Sequence, residues 1–328
     1  VRHLLQGQVM SAGDTVRFAV QLVEAAAERV VWSGQFDRPL AHTFRVLDEV
    51  TAEVLMALNV TLLAGESARV WHKTLTDLRA LQVFYRGIEA FFRMSRASMR
   101  AARRDFENIA RHQPELSLGP TWVALTHWYD LQRGWADDPE ESRALARDWA
   151  LRGAGFEDAD GQAATVLSHI HLLDRDFDAA LAAGAEAVRD RPNCTHANGF
   201  YANVLHYCGA QDRALTHIRR AIRHSPYRPP MFDLVLGLVL RARGDSAASL
   251  DIVRTAQARA PEDLVAQVSL AVLAQESGKA ELAADAAATI RRLQPDFAAA
   301  AYLAGLPYRD AAMPDDMRAA LEALGLGG

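Results

Sequence analysis

The feature that most constrains this chain is a spacing. An aliphatic residue or alanine followed five places later by proline recurs at Ile109/Pro114, Ala187/Pro192, Ala221/Pro226, Ala256/Pro261 and Ile290/Pro295. From Pro192 onward the prolines stand 34, 35 and 34 residues apart, and self-similarity at a fixed period of this size marks a stacked repeat. Gly209, Gly244 and Gly278 each close an apolar segment 17 residues before the next of these prolines. Glycine accepts the left-handed conformation that stops a helix, and proline cannot continue one, so each period holds two helices and two turns. A third landmark is a small residue in the first helix, at Gly87, Ala124, Ser168, Ala202, Gly237, Ala271 and Gly305. Ala214, Ala221, Ala256 and Ala283 supply the matching flat face on the second helix. The unit these landmarks predict is a tight antiparallel helical hairpin.

Period, small residues and terminal proline together resemble the tetratricopeptide repeats. Four consecutive periods fit between Gly161 and Gly305, and two more degenerate units fit between Leu81 and Asp160. Those two carry insertions, one between Gly87 and Ala102 and the other a Gly134-Trp135-Ala136-Asp137-Asp138-Pro139 loop. About six repeats are thus expected over residues 81–306, after a linker at 63–80. A C-terminal helix at 307–328 would start near Pro314, stop at Gly325, and use Met317, Leu321 and Leu324 to cover the open end of the stack.

Residues 1–62 follow a different period. Leu5, Gly7 and Val9, then Val16, Phe18, Val20 and Leu22, alternate with polar neighbours across Ser11-Ala12-Gly13-Asp14, the pattern of a β-hairpin. Arg29 to Phe36 reads as a third strand, stopped by Asp37-Arg38-Pro39. Phe44, Leu47, Val50, Val54, Leu55 and Leu58 recur at helical spacing between Ala41 and Asn59, a helix that would cover the sheet. The segments Leu5-Gln6-Gly7-Gln8-Val9, Val20-Gln21-Leu22-Val23, Val31 to Arg38 and Leu47-Asp48-Glu49-Val50 resemble the C-terminal portion of a TolB-like α+β domain. That domain lies between the catalytic and repeat regions of many bacterial class III adenylate or guanylate cyclases, and the Leu306-Pro307-Tyr308-Arg309-Asp310 ending is also similar to theirs. The expected fold is mainly α: a tetratricopeptide-like α-solenoid of helical hairpins preceded by a small α+β domain of a three-strand antiparallel sheet plus a helix.

Half of the 328 residues are hydrophobic and the net charge is only −5, which fits an ordinary folded protein. Acidic residues outnumber basic ones, so no nucleic-acid surface is expected, and no apolar run reaches the roughly 20 residues of a membrane span. Two cysteines, Cys194 and Cys208, do not make a secreted disulfide framework. A reducing, cytoplasmic setting follows. The chain opens at Val1 without an initiator methionine or a signal-peptide pattern, and reads as a segment of a longer polypeptide.

In such a ribbon the first helix of each hairpin lines the concave side. The positions that face it include Phe84, Phe91, Trp128, Tyr129, His169, Asn203, His206, Tyr207 and Arg241. An aromatic groove of this kind suits a protein or peptide partner, the alternative being that some of these rings pack against the neighbouring unit or the α+β domain. A terminal-carboxylate clamp is rejected, since Asn203 stands there without a lysine. His169/His171 and His206/Cys208 are two apart and diverge on a helix, so no metal site is expected. Glu157-Asp158-Ala159-Asp160-Gly161 lacks the pattern of a calcium loop and reads as a turn. Arg93, Arg96, Arg100, Arg103 and Arg104 form one basic stripe, read as a solvated face rather than a site for an anionic partner. No phosphate loop, nucleophile elbow or carboxylate pair is present. The cyclase resemblance brings no catalysis either, because the catalytic residues belong to a domain outside this chain. The expectation is a non-catalytic interaction and regulatory region of a signalling protein, with no cofactor and with homo-oligomerisation through the α+β domain or the repeats left open. Its alternative is the sensor region of a winged-helix transcription regulator; a stand-alone enzyme is disfavoured.

Overall fold

Two-residue alternation gives way to helical spacing along the chain, and the structure changes with it. The computed structural model describes residues 3–12, 15–25, 29–39, 75, 77–93, 95–156, 162–223, 229–310, 312 and 314–327. It divides into two compact units, Val1–Arg86 and Gly87–Gly328.

In the first unit β1 (His3–Ala12), β2 (Thr15–Glu24) and β3 (Arg29–Pro39) form an antiparallel sheet in the order β1-β2-β3. The central strand buries Val16, Phe18, Val20 and Leu22 while Arg17 and Gln21 face out, the half-buried alternation that the sequence predicts. Val20 lies opposite both Gly7 and Gly34. A side chain at Gly34 would meet the Trp32 ring at 2.6 Å and the Phe36 ring at 2.9 Å, so glycine is what lets those two rings close over the sheet. β3 runs through Asp37-Arg38-Pro39 instead of stopping before it. The Arg17 guanidinium on β2 grips the Asp37 carboxylate at 2.7 and 2.8 Å and carries the pairing to Thr15 opposite Pro39. The helix expected over Ala41 to Asn59, the connection containing Trp71 and the Ala26-Ala27-Glu28 link lie outside the described residues.

Helix α1 (Leu78–Phe92) begins with the Asp77 carboxylate accepting from the Ala80 amide at 3.0 Å, an N-cap that ends the expected 63–80 linker early. α2 (Arg96–His112) completes the first hairpin. The following hairpins are α3 (Leu118–Gln132) with α4 (Pro139–Ala154), α5 (Gln162–Leu173) with α6 (Phe177–Asp190), and α7 (Thr195–Tyr207) with α8 (Gln211–Arg223). After them come α9 (Pro230–Ala242) with α10 (Ser246–Arg259), and α11 (Leu264–Glu276) with α12 (Ala280–Leu293). The chain has the tetratricopeptide-like solenoid fold, six hairpins among the described residues, preceded by the three-strand sheet.

The punctuation acts as the spacing requires. Gly209, Gly244 and Gly278 take φ of 83°, 85° and 68°, and carboxylates of Asp138, Asp176, Asp245 and Asp263 cap the helices that follow them. The small residues let hairpins close tightly: a methyl on Gly237 would stand 2.4 Å from the Val253 side chain across α9 and α10. Gly305 departs from this pattern, with open space around it, because its helix α13 (Ala299–Gly305) is only 7 residues long and has no full second helix to receive. α14 (Asp315–Ala323) caps the stack, burying Met317 and Leu321 with Leu303, Leu326, Leu273 and Ile290.

The basic stripe is solvent-exposed at Arg93, Arg96, Arg100 and Arg104, and three of its arginines also reach the next hairpin. Arg96 and Arg100 both bond the Asp137 carboxylate, at 2.5 and 2.6 Å, while Arg103 reaches Thr126 at 2.9 Å and Asp130 at 2.6 Å. The stripe ties α2 to α3 and to the loop after it, which explains why the Gly134–Pro139 insertion carries aspartates. Among the described residues no helix is long and apolar enough to cross a membrane, and no three potential ligands cluster to hold a metal ion.

Candidate functional site: the inner face of the repeats

First helices of successive hairpins touch one another, α3 against α5, α5 against α7, α7 against α9 and α9 against α11. They are therefore the inner layer, and Trp128, Tyr129, His169, Asn203, His206, Tyr207 and Arg241 sit on it, with Phe91 packed against Trp122 and Tyr129. Their side chains are enclosed. Trp128, Tyr129, His169, Asn203 and His206 are between 1% and 4% exposed, and Tyr207 is 7%. Phe84 and Phe91 on α1 are buried as well. Arg241 is the most accessible of the nine, and its guanidinium is held by the Glu276 carboxylate through contacts of 2.5 to 3.2 Å.

The rings pack on each other across repeats. Trp128 meets Tyr129 and His169 edge to face at 4.7 Å each and Phe200 at 5.6 Å. Phe91 lies edge-on to Tyr129 at 5.0 Å and to Trp122 at 5.3 Å. Such pairs each add roughly 0.5–1.5 kcal/mol beyond area burial. The imidazole of His169 has defined roles. Its Nε2 accepts from the Asn203 amide nitrogen at 3.3 Å, which leaves Nδ1 to donate toward the Thr165 carbonyl at 3.4 Å. Burial pushes its pKa down to about 3, so the ring is neutral at ordinary pH. His206 is likewise pushed down to about 4 by burial. Its Nδ1 donates to the Gln211 amide oxygen at 3.0 Å and its Nε2 accepts from the Tyr308 hydroxyl at 2.9 Å.

Contacts also skip repeats. The Tyr129 hydroxyl on α3 reaches the Met231 sulfur on α9 at 3.3 Å, and Arg133, at the end of α3, pairs with Asp263, the cap of α11. Both members of that pair are at most 10% exposed. These bonds close the middle of the inner face. Beside them lies an open cavity of about 730 Å³, lined by Phe91, Tyr129 and Trp135, by Pro229 to Met231, and by Arg259 to Leu264. Two of the nine predicted groove residues, Phe91 and Tyr129, border it. Trp135, Met231 and Arg259 were not among those predicted: they lie on loops or at helix ends, outside the helix-face rule that selected the nine. The Pro229-Pro230 and Ala260-Pro261 turns at the same end of the hairpins were the signal that marked the place.

No family model matches the chain. Among curated proteins, Putative adenylate cyclase 3 of Rhizobium meliloti (strain 1021) is 27% identical over 135 residues, which is 41% of this chain and 23% of the length of that protein. Human IFIT1, solved as a dimer with PPP-AAAA, superposes with a TM-score of 0.52 at 13% identity, over 71% of this chain and 56% of its own. The Thermus thermophilus tetratricopeptide protein TTC0263 gives a TM-score of 0.46 at 18% identity, over 59% of this chain and 98% of its own. At such identities the structural likeness is one of fold. The chain thus spans under a quarter of the length of the cyclase relative.

Proposed function

We propose that this chain is a non-catalytic, protein-binding regulatory region of a bacterial signalling protein of the class III adenylate or guanylate cyclase kind, working in the cytoplasm. The observation that carries the binding part is the cavity on the inner face. It presents the ring of Trp135 beside the turn prolines, over the buried rings of Phe91 and Tyr129, with Arg259 and Glu262 at its border. Rigid aromatics give large contact area with few rotamers to lose, and charges at the border fix the orientation of an extended segment. The cyclase part is supported by the partial match to the Rhizobium meliloti protein, together with the β-hairpin, the third strand and the Leu306 to Asp310 ending.

The test is site-specific cross-linking in the native bacterium, with a photoreactive residue at Trp135 in one strain and at Arg254 on the outer helix α10 in another. A partner adduct formed from the Trp135 position and absent from the Arg254 position supports the reading. Equal labelling from both, or none from Trp135, overturns it. Nucleotide turnover by the purified chain alone would overturn the non-catalytic part.

A further inference from the structure

The chain supplies its own extended peptide to the inner face. After α13 the backbone leaves helical geometry, with Leu306 at φ −70° and ψ 131°, and crosses to helices more than a hundred positions earlier in the sequence. Tyr308, 6% exposed, docks there. Its ring lies 4.8 Å from that of Tyr207 and 5.4 Å from the His206 imidazole, to which its hydroxyl donates. The Arg309 amide donates to the Tyr207 carbonyl at 2.9 Å. The Arg309 guanidinium stands over the Phe177 ring at 5.8 Å and beside the Asp178 carboxylate at 3.2 Å.

The clamp is Arg175, in the turn between α5 and α6. Its guanidinium donates to three main-chain carbonyls, Ala304 at 2.9 Å, Leu306 at 3.2 Å and Tyr308 at 3.4 Å. Arg175 is also the one non-glycine residue at positive φ among the described residues, at 60°. A side chain held in that conformation costs on the order of 1 kcal/mol or more and persists where its surroundings demand it. An arginine fork on main-chain carbonyls, one buried aromatic anchor and one main-chain bond are the means by which a protein reads a segment by its backbone and a single side chain. The end cap, meanwhile, closes without this excursion: Leu303, Met317, Leu321 and Leu326 pack on α11 and α12, and the Ala299 amide is bound by the Leu326 carbonyl at 2.9 Å.

We propose that Arg175, Phe177, Asp178, His206 and Tyr207 form a peptide-binding site for an extended segment with a proline-tyrosine-arginine core, filled in cis by Leu306–Asp310, and that a partner segment of the same chemistry binds by displacing it. The site is separate from the cavity at Trp135. It rests on the interaction reading only in that the displacing molecule is a protein segment.

The probe is a fluorescent peptide with the sequence of residues 304–312, added in trans to the full chain and followed by anisotropy. Wild type, with its site occupied, is expected to bind weakly. The Tyr308→Ser/Arg309→Ser chain, which strips the cis segment of its side-chain anchors and leaves the walls of the site intact, is expected to bind at least ten-fold more tightly. Adding Arg175→Gly should abolish that gain without lowering the melting temperature, because glycine suits the positive φ there. Equal binding by wild type and the double variant, or binding indifferent to Arg175→Gly, overturns the proposal. Hydrogen exchange on the unaltered chain is a check that depends on no variant. The Arg309 amide is expected to exchange through local opening, faster than the Ala299 amide of the cap; exchange of Arg309 only with global unfolding overturns the proposal. None of these readouts involves Trp135, so this site and the cavity succeed or fail separately.

Discussion

The two helices of a hairpin obey different rules here. On α7 twelve of 13 residues are buried, while on its partner α8 three of 13 are, Ala214, Ile218 and Ala221. The outer helix is an ordinary amphipathic one: one apolar stripe faces inward and the arginines of its other faces meet water. The inner helix has no solvent side, because a neighbouring repeat, its own partner and groups from distant repeats or from the C-terminal segment cover it all round. A helix of that kind must satisfy its polar groups internally, as Asn203 and His169 do for each other. Periodicity therefore locates the hairpins, but it does not locate an open surface within them.

The sharpest way to break this contrast is to remove matched contacts from the two layers. Phe232→Ala, on the fully buried inner side of α9, is expected to cost roughly 3–5 kcal/mol. Leu151→Ala, on α4 and 55% exposed, should stay within about 0.5 kcal/mol. Arg133→Leu belongs with the large effects. It leaves the buried Asp263 carboxylate without its cation, a loss of roughly 3–5 kcal/mol. Arg292→Ala, by contrast, removes an ion pair with Glu262 whose members are 61% and 77% exposed, and should be almost silent. Urea denaturation of the four variants measures all of this. Similar losses from both layers would show that the inner helices are no more enclosed than the outer ones.

Acid sharpens the comparison without any substitution. His127, His169 and His206 lie on inner helices and are held neutral, with burial pushing their pKa values to about 3, 3 and 4. A depressed folded value means that the unfolded chain takes up the proton first. Stability is then complete above the unfolded pKa of about 6.5 and is lost as pH falls toward the folded values, by up to about 1.4 kcal/mol per pH unit for each histidine. Thermal melts should decline from pH 6.5 to 5, before most carboxylates titrate. A melting temperature flat across that interval would mean that these rings are hydrated.

Much of the architecture could be read beforehand, for a physical reason in each case. Proline and glycine act through their own backbone restrictions, so Pro192, Pro261, Gly209, Gly244 and Gly278 mark turns whatever surrounds them. The strands of β1 and β2 follow likewise from alternation alone. The arrangement of the inner face was not legible by the same route. Arg133 with Asp263 and Tyr308 with His206 join residues 130 and 102 positions apart, and no local rule connects them. One signal did exist: Leu118 to Tyr129, α5 and α7 contain no aspartate, glutamate, lysine or arginine, and an uncharged helix with neutral polar residues is one that has nowhere to put a charge. The arginine stripe is exposed as its spacing predicts, but its ion pairs were not legible. Its partner carboxylates, Asp130 and Asp137, arrive from the next repeat and the loop after it.

The smallest expected effect asks whether polarity inside the inner layer is structural. Asn203→Leu keeps the volume but deprives the buried His169 Nε2 of its donor. An orphaned buried acceptor costs about 1–3 kcal/mol, whereas replacing both members of a hydrogen-bonded pair by apolar groups of similar shape is close to neutral. His169→Phe/Asn203→Leu should therefore recover most of the stability lost in Asn203→Leu alone, since a phenyl ring still packs against Trp128 and Phe200. A double variant that instead loses the sum of the two single changes would mean that the imidazole and the amide each serve something other than one another. The inner layer would then be polar for a purpose beyond its own packing.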